Sequence, residues 1–569
     1  MKVSDYIAAA LVRKGVRQVF ELSGGMITHI LDSIYLRGGV QIVSMHHEQG
    51  AAFAADAAGR ITGIPGVALA TSGPGATNLL TGMGSCYFDS SPAVFITGQV
   101  NRNEQKGDRA IRQLGFQETD IVSMVGAITK KAWRVTEVED VPRILDEAFA
   151  TAIAGRPGPV LVDIPMDVQR GELPESEACL LAHQPAHPAP ADLASFRESL
   201  AKARRPLVLV GGGVRSGRAI RQFRAFIDQA GIPVVHSLMA VDALPYAHPL
   251  NVGMIGSYGN RWANLALHQC DCLLVLGSRL DVRQTGADTK AFKGDRPIFH
   301  VDCEPGEMNN RVVGCTTMES ELLPALELLS ASGISADTSA WQAEILRLRR
   351  MWPDTLELQG VEGINPNVLM HELSQASTAA GAYVVDVGQH QMWAAQSLEM
   401  GPGQRFLTSG GMGSMGFALP AAVGTAVSLP GEPVVVIAGD GAFQCNIQEL
   451  QTVVRLGLPL KILVMNNQCH GMVRQFQESY FEGRYQSTMW GYSAPDFTRV
   501  AEGYGIAART VQDPAGVCGA LQWLWADPSA PALLQVMISP KANAYPKLAF
   551  GRTMDEMEPQ ATPLDMEGT

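Results

Sequence analysis

Short apolar runs rich in β-branched residues alternate along this chain with stretches whose apolar positions recur at helical spacing. At the N-terminal end the helical pattern of Tyr6 to Lys14 is followed by an apolar run at Gln41 to Met45 and a helical stretch at Ala51 to Gly59. Further runs follow at Val67 to Ala70, Val94 to Thr97 and Val160 to Ile164. Runs this short and this apolar predict parallel strands buried on both faces, with the helices as crossovers between them. From Gly171 to Asp192 the periodicity stops and Pro174, Pro185, Pro188 and Pro190 appear, which predicts a surface linker. A second alternation opens at Pro206 to Val210, enters Gly211-Gly212-Gly213, and continues through Pro233 to Val235, Cys272 to Leu276 and Pro297 to Val301. Trp341 to Leu356 reads as a connecting helix and a third alternation runs from Asn365 to Pro540. The expected architecture is α/β, with three consecutive doubly wound parallel-sheet domains at 1–170, 190–335 and 362–545. Residues 546–569 form a tail; from Arg552 onward it is acidic and turn-rich, a loose end or a cover for a site.

The third alternation carries the most specific chemistry. Pro433 to Ala438 is a β-branched run that ends in Gly439-Asp440-Gly441; helical spacing follows over Ile447 to Leu456, then a second apolar run, Leu460 to Met465, ends at Asn466-Asn467. In a strand, turn, helix, strand unit the ends of neighbouring parallel strands meet at one edge of the sheet, so Asp440 and Asn467 can converge on one ion. Carboxylate and amide oxygens are hard ligands suited to Mg2+, which keeps phosphate oxygens and water in its other positions. Gly441 would let the backbone approach those phosphates. Taken alone the tripeptide is an ordinary turn; the flanking strands and the spaced asparagines make it a metal and diphosphate clamp. Similar glycine-rich turns stand at Thr71 to Thr77 and Ser409 to Gly416.

Composition narrows the class. A net charge of −12 argues against general nucleic-acid binding, which needs a basic face. No run is long and apolar enough to span a bilayer and the first residues lead into an amphipathic helix, so a cytoplasmic location is expected. Nine cysteines, an odd number without a paired framework, suit reduced thiols. Cys270 and Cys272 lack a second ligand pair and read as packing; His46-His47-Glu48 lacks a third spaced ligand for zinc.

Several motifs in order make the resemblance specific: His47-Glu48-Gln49-Gly50-Ala51-Ala52-Phe53, Thr71 to Asn78, Phe116-Gln117-Glu118, Arg156 to Val160, Asp386 to Trp393 and Gly439-Asp440-Gly441. With them the chain resembles, from Gly24-Gly25 to Gln486, the thiamine diphosphate enzymes of the acetolactate (acetohydroxyacid) synthase catalytic-subunit group. The resemblance implies three domains that bind, in turn, the pyrimidine, FAD and the diphosphate with its metal. It implies that Glu48 tautomerises the aminopyrimidine, that Met415 bends the cofactor, and that Gln117 and Gly25 lie near the reacting carbon. Gly388, Gln389, His390, Gly441 and Ala442 would hold the diphosphate, with Gly73, Asn78, Gly413 and Met472 also at the cofactor. Mg2+ would be held by Asp440, the Asn467 side chain and the Cys469 carbonyl. FAD would be held by Gly211, Gly212, Gly277, Arg279, Asp281, Asp302 and Arg156, without a redox part in the carbon-carbon ligation.

The implied activity is decarboxylation of pyruvate and transfer of its hydroxyethyl (acetyl) unit to a second carbonyl compound, in a homodimer or homotetramer with shared active sites, to which a small regulatory subunit can be added. Arg283 matches a residue that grips an acceptor carboxylate. Three departures touch the acceptor side: Phe476 where tryptophan is usual, Met166 where lysine is common, and a longer, charged stretch from Asn101 to Arg112. They leave the acceptor open between a 2-keto acid and a nucleotide-linked 4-keto sugar. Oxidation or simple decarboxylation of the same substrate is disfavoured by the Gln389 to Trp393 and Phe116 to Glu118 matches. A nicotinamide oxidoreductase would need a Gly-x-Gly-x-x-Gly fingerprint that Gly211 to Gly217 does not supply, and a non-catalytic relative would be expected to lack Glu48 or the metal ligands.

Overall fold

The computed structural model describes residues 1–173 and 193–564. The expected linker falls almost wholly on residues outside the described ones, as do the last five residues of the tail. The described residues form three six-stranded sheets in which every neighbouring pair is parallel.

The first sheet is built from β1 (Gln18–Leu22), β2 (Gln41–Ser44), β3 (Gly66–Ala70), β4 (Ala93–Gln99), β5 (Lys131–Arg134) and β6 (Pro159–Pro165), in the order β2-β1-β3-β4-β6-β5. The second contains β7 (Pro206–Val210), β8 (Val234–His236), β9 (Asn251–Met254), β10 (Cys272–Leu276), β11 (Ile298–Asp302) and β12 (Thr316–Glu319), in the order β12-β11-β10-β7-β8-β9. The third holds β13 (Ala382–Val385), β14 (Arg405–Thr408), β15 (Val434–Gly439), β16 (Leu460–Asn466), β17 (Ala507–Val511) and β18 (Ala532–Met537), in the order β14-β13-β15-β16-β18-β17. Strands of these sheets are apolar because helices cover both faces: every residue from Val434 to Ala438 is fully buried.

Each sheet grows to both sides of one point near its middle, and at that point two loops diverge and leave a crevice at the carboxyl edge. That point lies between β1 and β3 in the first sheet, between β7 and β10 in the second and between β13 and β15 in the third. Glycines sit at all three. A Cβ on Gly24 would lie 2.5 Å from that of Thr71, one on Gly211 would lie 2.1 Å from the Gly277 carbonyl oxygen, and one on Gly439 would lie 2.8 Å from Nδ1 of His390. Loops at these points pass too closely for any side chain.

The described residues fall into two compact bodies. One contains the first sheet together with Ser409–Glu432 and Asn446–Leu458; the other contains the second and third sheets. In the first, Val3, Ile7, Val19, Val67, Ile96 and Val162 share a core with the helices Val3–Arg13 and Val141–Ile153. In the second, the tail is not loose. Lys547–Leu548 and Met557–Glu558 pair as a two-stranded antiparallel ribbon, and Leu548, Met554 and Met557 pack in one core with Leu209, Leu273 and Trp262 of the central sheet and its covering helix. The Leu548 N–H donates to the Ser257 carbonyl at 2.8 Å, and Lys547 pairs with Glu558 at 2.9 Å.

Candidate active site

The residues expected to form the clamp lie at the carboxyl edge of the third sheet. Strand β15 delivers Asp440 to the start of the short helix Asp440–Gln444, its neighbour β16 delivers Asn467, and β13 on the other side delivers Gly388 ahead of the helix Gln389–Ser397. These three loops flank the point between β13 and β15, so Asp440, Asn467 and the N-terminal N–H groups of the Gln389 helix face one crevice.

Asp440 is 2% exposed and its Oδ2 has no hydrogen-bond partner. Burial pushes its carboxyl up to about 6, against the pull of the Tyr492 hydroxyl and nearby backbone N–H groups. A buried carboxylate oxygen left without a partner costs free energy, and a bound cation is what removes that cost. The Asn467 side chain donates from Nδ2 to Oε1 of Gln389 at 3.2 Å, and its Oδ1 accepts from the Cys469 N–H at 3.2 Å. That leaves one Oδ1 lone pair uncommitted. Gln468 between them holds φ at +55°, which turns the backbone at Cys469. Among the described residues no group of three or more His, Cys, Asp or Glu side chains could hold a metal. One carboxylate with amide and carbonyl oxygens fits Mg2+ completed by phosphate oxygens, so the residues present fit a metal-bound diphosphate.

His390 fills the crevice wall. Its Nε2 accepts from the Gly439 N–H at 3.2 Å, which places the ring proton on Nδ1, and burial pushes its pKa down to about 3. It is therefore neutral at physiological pH, a fixed dipole rather than an acid. A Cβ on Gly441 would lie 2.7 Å from the His470 ring and 3.3 Å from the Tyr492 hydroxyl, so the glycine also makes room for the tilted His470–Tyr492 ring pair, whose centroids are 4.4 Å apart. Ala442 is buried beside it and Met472 is half-buried on the helix Gly471–Tyr480.

In the other body Glu48 is the first residue of the helix Glu48–Thr62 and is 6% exposed. Its predecessor His47 caps the helix through Nδ1, which accepts from the Gln49 N–H at 3.0 Å. The Glu48 Oε2 accepts from Nδ2 of Asn78 at 2.9 Å, and a Cβ on Gly75 would come within 3.3 Å of Oε1. Asn78, expected at the cofactor, thus meets the Glu48 carboxylate directly. A second glutamate, absent from the sequence reading, anchors this turn: fully buried Glu449 accepts from the His46 N–H at 2.9 Å and from the Thr452 hydroxyl at 2.7 Å. Gly73 and Gln117 also meet. Both have positive φ, +63° and +65°, and a Cβ on Gly73 would lie 3.0 Å from that of Gln117. Gly25 has nothing within 4 Å of its missing Cβ, whereas its neighbour Gly24 abuts Thr71; the space at Gly25 is open. Met415 stands 38% exposed in a loop turned by Gly413 and Gly416, at φ +69° and +85°.

The loop carrying Gln117 is tied to the sheet through a buried acid. Nε2 of Gln99 donates to the Thr119 carbonyl at 2.7 Å and to Asp163 at 3.1 Å, and Thr97 donates to Asp163 at 2.7 Å. Burial pushes Asp163 up to about 7, outweighing those two donors. Because the folded pKa is raised, the unfolded chain ionises first, and stability present below about pH 4 is lost as pH rises to about 7, on the order of 4 kcal/mol for a fully buried acid. The expected result is a urea midpoint that falls from pH 5 to pH 7.5 in the parent and falls measurably less in Asp163→Asn. Equal falls in both would remove Asp163 as the cause.

The remaining predicted residues are more dispersed. Phe476 is 40% exposed and clusters with Tyr480 and Phe481 at 4.8 and 5.7 Å, while Arg283 is exposed. Met166 is half-buried at the start of a short helix. Next to it Asp167 takes Arg102 in an ion pair at 2.8 Å, and Glu118 accepts from the Lys106 and Leu114 N–H groups. The charged stretch is thus folded back on its own body with Arg102 already committed to Asp167. In the central sheet Gly211, Gly213 and Gly277 touch one another and Gly212 packs on Met239. The Asp281 carboxylate caps the helix Val282–Thr285, accepting from the Arg283 N–H at 2.9 Å, and stands 3.5 Å from Arg279. Asp302 ends β11, where its Oδ1 accepts from the Glu304 N–H. Arg156, in the other body, donates to the Ser90 hydroxyl at 2.8 Å.

Sequence comparison agrees with this geometry. Residues 1–124 match the N-terminal TPP binding domain of thiamine pyrophosphate enzymes, residues 193–326 their central domain, and residues 386–536 their C-terminal TPP binding domain. The acetolactate synthase isozyme 2 large subunit of Escherichia coli (strain K12) is 39% identical over 98% of this chain and 99% of its own length. The acetolactate synthase large subunits of Lactococcus lactis and Corynebacterium glutamicum are 34% and 37% identical, over 97% and 95% of this chain and 95% and 87% of their own lengths. With three matched domains in order and this identity over nearly the full length, the chain belongs to the thiamine pyrophosphate enzymes, in the family of the acetolactate synthase large subunits.

Proposed function

We propose that the protein decarboxylates pyruvate and transfers the hydroxyethyl unit to a second 2-keto acid, as an acetolactate synthase does, with domains at 1–170, 190–335 and 362–545. The observation that carries the cofactor half of this reading is the unpartnered buried oxygen of Asp440 at the crevice of the third sheet. Support for the reaction itself comes from the relatives' names and from matches that span nearly the full length of the chain.

Thiamine diphosphate, when bound, supplies a nucleophilic carbon that adds to the keto group and takes up the electron pair left as carbon dioxide departs. The rest of the work belongs to side chains. Asp440, Asn467 and the Cys469 carbonyl would hold Mg2+, and Gly388 with the N-terminus of the Gln389 helix would receive the diphosphate. Glu48 would hold a proton at a pyrimidine nitrogen, with Asn78 fixing Oε2 so that Oε1 faces the ligand. Gln117 and the open space at Gly25 would border the reacting carbon, and Met415 would support the cofactor's bend. Arg283, which is exposed, would take the acceptor carboxylate, with Phe476 and Met166 shaping that side.

FAD would lie at the crevice of the central sheet, where the first turns after β7 and β10 present Gly211, Gly212, Gly277 and Arg279, with Asp281 and Asp302 on the same edge. The tight glycine packing there fits a nucleotide close to backbone; the contribution of Arg156 rests on the family resemblance alone. The working form is a homodimer or homotetramer in which Glu48 and the Asp440 clamp serve one cofactor from different copies, with a regulatory subunit as a further partner. No helix among the described residues is long and apolar enough to cross a membrane.

Product analysis tests the reaction. Purified protein given labelled pyruvate with Mg2+ and thiamine diphosphate should form acetolactate, and with 2-ketobutyrate added the corresponding mixed acetohydroxy acid. Release of acetaldehyde alone, or of acetate with hydrogen peroxide, would overturn the proposal.

A further inference from the structure

A chain of three buried side-chain amides runs from the metal ligand to the backbone of the C-terminal segment. Asn467 donates from Nδ2 to Oε1 of Gln389 at 3.2 Å; Gln389 donates from Nε2 to Oε1 of Gln475 at 3.2 Å. Gln475 then meets Ala544 on both sides, accepting from its N–H at 2.9 Å and donating from Nε2 to its carbonyl at 3.1 Å. Gln389, Gln475 and Ala544 are at most 2% exposed, so water does not compete. Gly471 is pressed against the chain: a Cβ there would lie 1.9 Å from Oε1 of Gln389 and 2.8 Å from Nδ2 of Asn467.

An amide side chain can face either way, and one orientation of Asn467 would aim its NH2 at the cation. The Ala544 backbone cannot be reversed, because its N–H only donates and its carbonyl only accepts. It therefore sets Gln475 with Oε1 toward the Ala544 N–H. Gln475 in turn obliges Gln389 to present its NH2, which leaves Oε1 of Gln389 for Asn467. Asn467 must then spend its NH2 on Gln389 and turn Oδ1 to the crevice.

We infer that Gln475 is a positioning residue, which through Gln389 keeps the oxygen of Asn467 rather than its nitrogen toward the metal, with Ala544 as a fixed origin of that polarity beside the Cys469 N–H that Oδ1 accepts. This rests on the reading of Asp440 and Asn467 as the Mg2+ clamp. Residues that orient a metal ligand from outside its coordination shell characteristically change metal affinity by about 10–100-fold when replaced.

The test is a Mg2+ titration at fixed thiamine diphosphate, read by quenching of tryptophan fluorescence, to which Trp393 on the Gln389 helix contributes. Activity is not needed. Gln475→Met keeps the volume and removes both polar atoms; its Mg2+ midpoint should rise about 10–100-fold while far-UV circular dichroism stays that of the parent. The double variant Gln475→Met/Asn467→Asp should return to within a few-fold of the parent, because a carboxylate has no wrong end and the released Gln389 can turn its NH2 to it. A parent-like midpoint in Gln475→Met, or a double variant as weak as the single one, overturns the inference. If Gln475→Met does not fold, Gln475→Glu takes its place. It keeps the acceptor for both N–H groups, so a parent-like midpoint supports the relay and a rise of tenfold or more overturns it. A parent that binds thiamine diphosphate equally well without Mg2+ would instead sink the clamp itself.

Discussion

Glu48→Gln should bind thiamine diphosphate with near-parent affinity and turn over roughly two to four orders of magnitude more slowly, the usual worth of a positioned proton-transfer group. The glutamine is the same size, and its side-chain oxygen can still accept from Asn78 as Oε2 does now at 2.9 Å. The helix start is held independently, by His47 on the Gln49 N–H and by Glu449 on the His46 N–H, so the substitution should not move it. What disappears is the ability to hold a shared proton against a ring nitrogen in a pocket that is almost closed to water. The decisive measurement is deuterium exchange at the reactive thiazolium carbon of the bound cofactor, followed by rapid quench and NMR. Exchange as fast as in the parent would place the proton chemistry elsewhere.

Asp440→Ala should lose Mg2+-dependent binding of thiamine diphosphate by at least about 100-fold, more than the loss of an orienting neighbour would cause. The same change should leave the cofactor-free protein as stable as the parent, or more so. Its Oδ2 is buried without a partner and burial lifts the carboxyl to about 6 despite the Tyr492 hydroxyl and nearby backbone N–H groups, so the cofactor-free protein carries a desolvated acid only partly offset. Calorimetric titration and thermal melting of apoprotein report the two effects separately. A lowered apoprotein melting temperature with unchanged cofactor affinity would make Asp440 a structural residue.

Strands covered on both faces are the part most visible from sequence because they are written almost entirely in Val, Ile, Leu and Ala, as in Val434–Gly439 and Leu460–Asn466. Several strands that the apolar pattern does not announce fail that condition. Lys131–Arg134, Asn251–Met254 and Thr316–Glu319 are four-residue edge strands with polar positions, and Gln18–Leu22 hides buried Gln18 and Glu21 inside a sheet. The same contrast divides the site. Asp440 and Asn467 are legible because each follows its strand directly, and strand order brings them to one edge. Gln475, Tyr492, His470 and Glu449 are not, since their roles come from contacts made only once the chain is folded, and none sits in a recognisable spacing. The tail reads as loose because its few apolar residues, Leu548, Met554 and Met557, are too sparse to predict a partner, yet each packs on the central sheet.

The glycines at the three crevices have a further consequence for how such a chain can change over time. At Gly24, Gly211 and Gly439 nothing larger than a hydrogen fits between the two diverging loops, because Thr71, the Gly277 backbone and the His390 ring already occupy the space. Variation is therefore excluded from the floor of each crevice and channelled into its walls. One scaffold, used three times along a single polypeptide, can then diverge toward three different portions of its ligands through loop residues alone, while the opening that admits them stays the same.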